Sequence, residues 1–191
     1  MFVGVRPRDE SETKLMSSHE TVSIPQADML WDVARVPEAI ARGQALPEAI
    51  GVYIGTKVAR QGLYYTQAAR ILGMVKPGAP GEPAELTAFG RAFAAYNRAE
   101  QRTAMRRTLM VREPTRSVLV AMRANGGLDR SAVAAVLQAL APLARSTALR
   151  RAATVNAWLL ATELARWQDD RLVYCGPNLP ILPAHPQQHA A

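Results

Sequence analysis

The chain is poor in the residues that carry most side-chain chemistry. Of its 191 residues one is a cysteine, Cys175, and three are histidines, His19, His185 and His189. A lone cysteine excludes an internal disulfide framework and any cysteine-rich zinc site. The histidines fall near the two ends, so no histidine-based triad or rigid metal cluster is available to a folded centre. No apolar run approaches the ~18 residues that a membrane-crossing helix needs, and the amino terminus lacks the charged-then-apolar layout of a signal peptide. A cytoplasmic protein without a membrane partner is expected. A phosphate-cradling G-x-x-x-x-G-K-[ST] sequence is also missing, and the glycines of "KPGAPGEP" alternate with prolines, which remove N–H donors and suit a turn rather than a nucleotide site.

What is present is helical and basic. Hydrophobic residues make up 49% of the chain and charged residues 20%. Alanine and leucine dominate over valine and isoleucine, a balance that predicts a mostly α fold rather than a strand-rich one. The formal charge is +7, with a pI near 10.2. Arginine far outnumbers lysine, and its planar fork suits phosphate and base edges better than a point charge. The excess is localised: residues 98 to 166 hold twelve arginines against Glu100, Glu113, Asp129 and Glu163, a surplus of eight.

Residues 1–24 are polar without a sustained period, and residues 176–191 are rich in proline, glutamine and histidine, so both read as flexible tails. Between them, the spacing predicts a helix from Asp28 to about Ala41 with a weak centre at Pro37, then a short helix from Pro47 to Tyr53 or Ile54, closed by Gly55. From Val58 to Leu72 the residues Val58, Gly62, Tyr65, Ala69 and Leu72 form one apolar face, leaving Lys57, Arg60, Gln61, Tyr64, Gln67 and Arg70 outside it. Two short strands follow, at Met74 and Val75 and at Ala84 to Leu86, around a Gly/Pro turn, and Thr87 caps a helix from Ala88 to about Asn97.

The order then recurs. A connecting helix, "RAEQRTAMRRTLMV", leads to a helix from Thr115 to Ala124, another from Ser131 to Ala141, and a long one from Ser146 to about Arg166, with Leu172 to Tyr174 as a closing strand. Helix, short helix, turn, helix and hairpin is the order of a winged helix. The expected fold is therefore mostly α, with tandem winged helix-turn-helix units carrying short two-stranded wings: a first unit over 25–97, then a connecting helix and second unit over 98–175.

In the second unit Ser146 is the expected cap, placing Arg145, Thr147, Arg150, Arg151 and Thr154 in or near the first turns. Ala148, Ala152, Val155 and Leu159 fall on the core side, opposite Thr147, Arg150 or Arg151, and Thr154. A helix start offers unpaired N–H groups to a phosphate, and arginine pairs bidentately with guanine in the major groove. In the first unit Lys57, Arg60, Gln61 and Tyr64, with Gln67, form the analogous surface, glutamine being able to read adenine. Adjacent tyrosines point about 100° apart on a helix, so Tyr65 is expected in the core and Tyr64 outside. Lys76 in the first wing and Arg102, Arg106 and Arg107 on the connecting helix are expected along the phosphate backbone.

These stretches, "RQGLYYTQAARILGMV" followed by "ELTAFGRAF" and later "STALRRAATVNAWL", resemble the winged-helix region near the start of certain restriction endonucleases and related bacterial proteins of unassigned function. The resemblance rests on Arg60, Gln61, Gly62, Tyr64 and Tyr65, on Leu72, Gly73, Leu86, Thr87 and Gly90, and on Ser146, Thr147, Arg150, Arg151 and Trp158, across residues 27–165. It implies DNA binding. A restriction enzyme would also need a nuclease domain, and the chain after residue 166 is too short for one.

No catalytic, metal or cofactor residue is expected. Asp169 and Asp170 read as turn residues, since "ELARWQDD" lacks a restriction-nuclease layout, and "GVYIG" lacks the second half of a tyrosine-based nuclease signature. The expectation is a non-catalytic double-stranded DNA-binding protein, nucleoid-associated, serving transcription regulation or a restriction or defence system. A homodimer or a restriction-system partner is allowed. The alternative is a winged-helix scaffold that docks an acidic partner or a separately encoded nuclease subunit.

Overall fold

A computed structural model describes residues 22–56 and 58–180. The expectation of a mostly helical chain holds, with one small antiparallel sheet. Nine helices run in order among the described residues: α1 Leu30–Val33, α2 Arg35–Ala41, α3 Pro47–Ile54, α4 Ala59–Ile71, α5 Ala88–Ala95, α6 Arg98–Val111, α7 Thr115–Ala124, α8 Arg130–Leu140 and α9 Arg145–Ala161. Strands β1 Ala165–Gln168 and β2 Arg171–Tyr174 follow, paired antiparallel with Trp167 opposite Leu172. Buried side chains from Ala27 to Leu172 form one continuous core.

The helix expected over 28–41 breaks at Ala34 rather than at Pro37. Pro37 is the third residue of α2, where a backbone N–H has no intrahelical acceptor, so its ring costs no bond. Arg35 donates to the carbonyls of Tyr53 (2.7 Å) and Ile54 (2.9 Å), satisfying the exposed end of α3, and stacks over the Tyr53 ring. Thr87 caps α5 as expected, accepting from Gly90 N at 2.9 Å.

Helices α3 and α4 cross closely because Gly62 has no side chain: a Cβ there would overlap the carbonyl of Pro47. Gly62, Tyr65, Ala69 and Leu72 are buried as expected, but Val58 is 56% exposed. It is the extended residue ahead of α4 (φ −130°, ψ 126°), outside the helical register that was used to place it.

The two halves share a connectivity. In the first, the segment between α2 and α3 pairs with the returning arm of a hairpin: Ala84 N donates to Ala45 O at 2.8 Å, and the hairpin itself closes at a single Val75–Leu86 bridge. In the second, Leu128, between α7 and α8, exchanges both backbone bonds with Leu172 of β2 (3.0 and 2.8 Å). Each half therefore runs helix, pairing segment, helix, helix, hairpin.

The long final helix is shorter than expected. It ends at Ala161, Glu163 takes a left-handed backbone (φ 56°), and β1 occupies residues assigned to the helix. Its start also differs. The chain stays extended through Ala144 (φ −60°, ψ 146°), which holds the cap position without a side-chain bond, and Ser146 lies inside the first turn. No single described helix is long and apolar enough to cross a membrane, and the one pair that qualifies jointly, α8 with α9, is bent by 108°.

Candidate nucleic-acid interface

Ala148, Ala152, Val155 and Leu159 of α9 are buried, as the periodicity required. The opposite side is only partly free. Residues 22–29 run extended past it, where Arg151 donates to Pro25 O at 3.4 Å and Trp158 Nε1 donates to Ala27 O at 2.8 Å. Thr154, expected among the contacts, lies between these two attachments and is 6% exposed, so it offers no outward surface and only lines the cleft beside Arg150 and Arg151. Helical spacing alone placed it opposite the first stripe, without showing that a second stripe, Arg151, Thr154 and Trp158, is covered by the amino-terminal segment.

Arg145, Ser146 and Arg150 are exposed, and Thr147 and Arg151 half-buried. On α4, Arg60, Gln61 and Gln67 are exposed and Tyr64 half-buried, with Arg60 over the Tyr64 ring at 5.4 Å. Tyr65 is buried, as expected. Lys57 lies outside the described residues, as do His19, His185 and His189.

The two helices border one cleft. Tyr64 of α4 lines a cleft of about 160 Å³ together with Arg150, Arg151 and Thr154 of α9 and Gln26 of the amino-terminal segment. Among the described residues no carboxylate pairs with Arg60, Arg145, Arg150 or Arg151. Burial holds the Arg151 guanidinium below its ordinary pKa, the charge of Arg150 pushes it the same way, and the Tyr64 phenol opposes them. Two like charges set close together without a counter-ion repel, and an anion entering between them relieves that cost. The sequence offered no sign of Gln26, which reaches this cleft only through the path of residues 22–29.

The remaining expected cations are placed differently. Arg102 and Arg106 both reach Glu163, at 3.7 and 3.5 Å, and Lys76 pairs with Glu85 at 2.7 Å across the first hairpin. Arg107 is exposed beside Tyr96 and Glu100. Asp169 and Asp170 form the β1–β2 turn, as expected, with Asp169 at φ 51°. No group of three His, Cys, Asp or Glu side chains is placed to hold a metal among the described residues.

This mostly helical chain, with its single small sheet, belongs to the family defined by the domain of unknown function DUF7226, whose model matches residues 52–161. The matched span opens within α3 and ends with α9, so it contains both helices of the cleft and omits Gln26 and the β1–β2 hairpin. Comparison with curated proteins and with solved structures yields no match.

Proposed function

We propose that this protein is a non-catalytic double-stranded DNA-binding protein built from two winged-helix units, with α4 and α9 presenting one shared polar surface to the duplex. The connectivity repeated in the two halves supports the winged-helix reading, the hairpins at Val75–Leu86 and β1–β2 being the wings. The observation that carries the function is the cleft in which Tyr64, Arg150 and Arg151 converge without a carboxylate partner. Arg150 and Arg145, exposed on the first turns of α9, suit phosphate or guanine, and Gln61 and Arg60 extend the surface along α4. Arg151, held by Pro25 O, orients the cleft, while Ser146 and Thr147 lie at the helix start, where backbone N–H groups favour phosphate. Both regulation of transcription and genome defence employ a module of this kind.

The test is a titration of labelled duplex at rising salt. Log affinity should fall linearly with log salt, by about 0.9 per phosphate contacted. The double variant Arg150→Ala, Arg151→Ala should lose several kcal/mol of binding, at ~1–3 kcal/mol per good base contact. The covering of Thr154 and Trp158 by residues 22–29 favours a second reading, a scaffold that docks an acidic protein. Duplex affinity that is absent or insensitive to salt selects it.

A further inference from the structure

A second, larger cleft of about 530 Å³ opens where the end of α4, the first hairpin and the end of α6 come together. Arg70, Arg112, Gln67 and Ser23 are its polar walls. Gln67, grouped by sequence with the outer surface of α4, lines this cleft rather than the one at Tyr64.

Arg112 is seated rather than merely exposed. Its guanidinium lies flat against Gly73, the left-handed residue (φ +73°) that ends α4, and a Cβ on that residue would overlap it. An arginine at a helix end ordinarily satisfies the last carbonyls. Here those acceptors are already taken: Thr108 O by Arg112 N (3.0 Å), Leu109 O by the Thr115 hydroxyl (2.7 Å) and Met110 O by Arg116 (3.3 Å). Arg70 donates through Nε to Lys76 O at 3.3 Å, which fixes the guanidinium and leaves its two terminal nitrogens for a ligand.

The acids of the hairpin are engaged elsewhere. Glu85 pairs with Lys76 in a different cleft, beside Ile40 and Ala41. Glu82 stands at the rim of this one, beside Gly78, where its carboxylate accepts from Ala79 N at 3.2 Å and makes no ion pair with Arg70. Among the described residues no carboxylate lies within ion-pair distance of Arg70 or Arg112. Two guanidiniums with donors to spare, Arg70 held by a backbone bond and Arg112 resting on Gly73, with an amide and a hydroxyl around one cavity, match the bidentate recognition of a tetrahedral oxyanion. The cavity falls within the roughly 300–1,000 Å³ range of small-molecule sites.

We propose that this cleft binds a phosphate group, gripped by Arg112 and Arg70 and completed by Gln67 and Ser23. The group is either a phosphodiester of bound nucleic acid or the phosphate of a free small molecule. Calorimetric titration of the full chain with inorganic phosphate and with pyrophosphate, against chloride at matched ionic strength, tests it. Saturable binding is expected. Arg112→Gln and Arg70→Gln should each weaken it about tenfold or more, the loss of a charge-assisted donor. Arg112→Lys should fall between, keeping the charge and losing the fork. Circular dichroism shows whether each variant is folded. A drop in duplex affinity in Arg112→Gln, with a smaller salt slope, identifies the backbone as the source. Tight pyrophosphate binding with unchanged duplex affinity identifies a free ligand. Absence of saturable binding by phosphate, pyrophosphate and duplex alike, or equal binding by folded variants, overturns the proposal. Phosphate binding lost on Arg112→Gln in a chain that ignores duplex removes only the DNA-binding reading.

Discussion

Trp158 and Ala27, 131 residues apart in sequence, are joined by a 2.8 Å hydrogen bond from the indole nitrogen to the backbone carbonyl. Trp158 is fully buried. The bond ties the amino-terminal segment to the last turn of α9. Trp158→Phe keeps most of the apolar bulk but leaves Ala27 O without its donor. It should destabilise the protein by about 1–3 kcal/mol in urea denaturation, the cost of a buried unsatisfied acceptor.

The neighbouring arginines of α9 should separate in their effects. Arg150 is exposed and carries no ion pair among the described residues, so Arg150→Ala should lower duplex affinity with a stability change within about 0.5 kcal/mol. Arg151→Ala also removes the bond to Pro25 O and part of the cover over Thr154. It should lower both affinity and melting temperature, and equal behaviour of the two variants would count against the shared cleft.

Gly62→Ala should be among the most damaging small substitutions in the chain. A single methyl would overlap Pro47 O at the crossing of α3 and α4, and backbone cannot swing aside as a side chain can. A loss of about 3 kcal/mol or more is expected in thermal or chemical unfolding, at the upper end for overpacking.

Two groups contribute at opposite ends of the pH profile. The carboxylate of Asp129, the cap of α8, is held below its ordinary pKa by the Ala132 N–H and then by the Ser131 hydroxyl. A depressed folded-state value means that its contribution is present above the unfolded pKa and fades as pH falls through the folded one. Asp129→Asn should remove that acid-side dependence while still accepting a cap bond. Tyr65 is pushed up to about 12 by burial and then by Asp32 and Asp28. Its contribution is present below the unfolded value near 10 and is lost as pH rises toward about 12. A tyrosinate absorbance titration should show a late component that Tyr65→Phe diminishes, the rest belonging to Tyr174, which burial also pushes up.

Helical periodicity made much of the architecture legible. The stripe Ala148, Ala152, Val155, Leu159 and the assignment of Tyr65 to the interior follow from spacing alone, and α7 from its stop at Asn125, Gly126 and Gly127. Thr154 escaped because α9 is covered on two sides, and periodicity reports one apolar face at a time. Ala165 and Arg166, the first half of strand β1, fall within the helix that the sequence predicts because "ARWQ" lacks a clear alternation, three of its four side chains being exposed. The convergence of Tyr64 with Arg150 and Arg151 depends on tertiary packing between distant segments, which no local pattern encodes. Gln26 and Arg112 share that origin.

The two hairpins are fastened to very different degrees. The β1–β2 arm has a four-pair ladder, a second edge at Leu128, and Arg171 anchored to the carbonyls of Asn125 and Gly127. The arm between Val75 and Leu86 has one bridge, one bond to Ala45 and the Lys76–Glu85 pair, and carries Pro77, Pro80 and Pro83 at its exposed tip. Fewer cross-strand bonds hold the first arm than the second, so amide exchange should be faster through residues 77–83 than through β1 and β2.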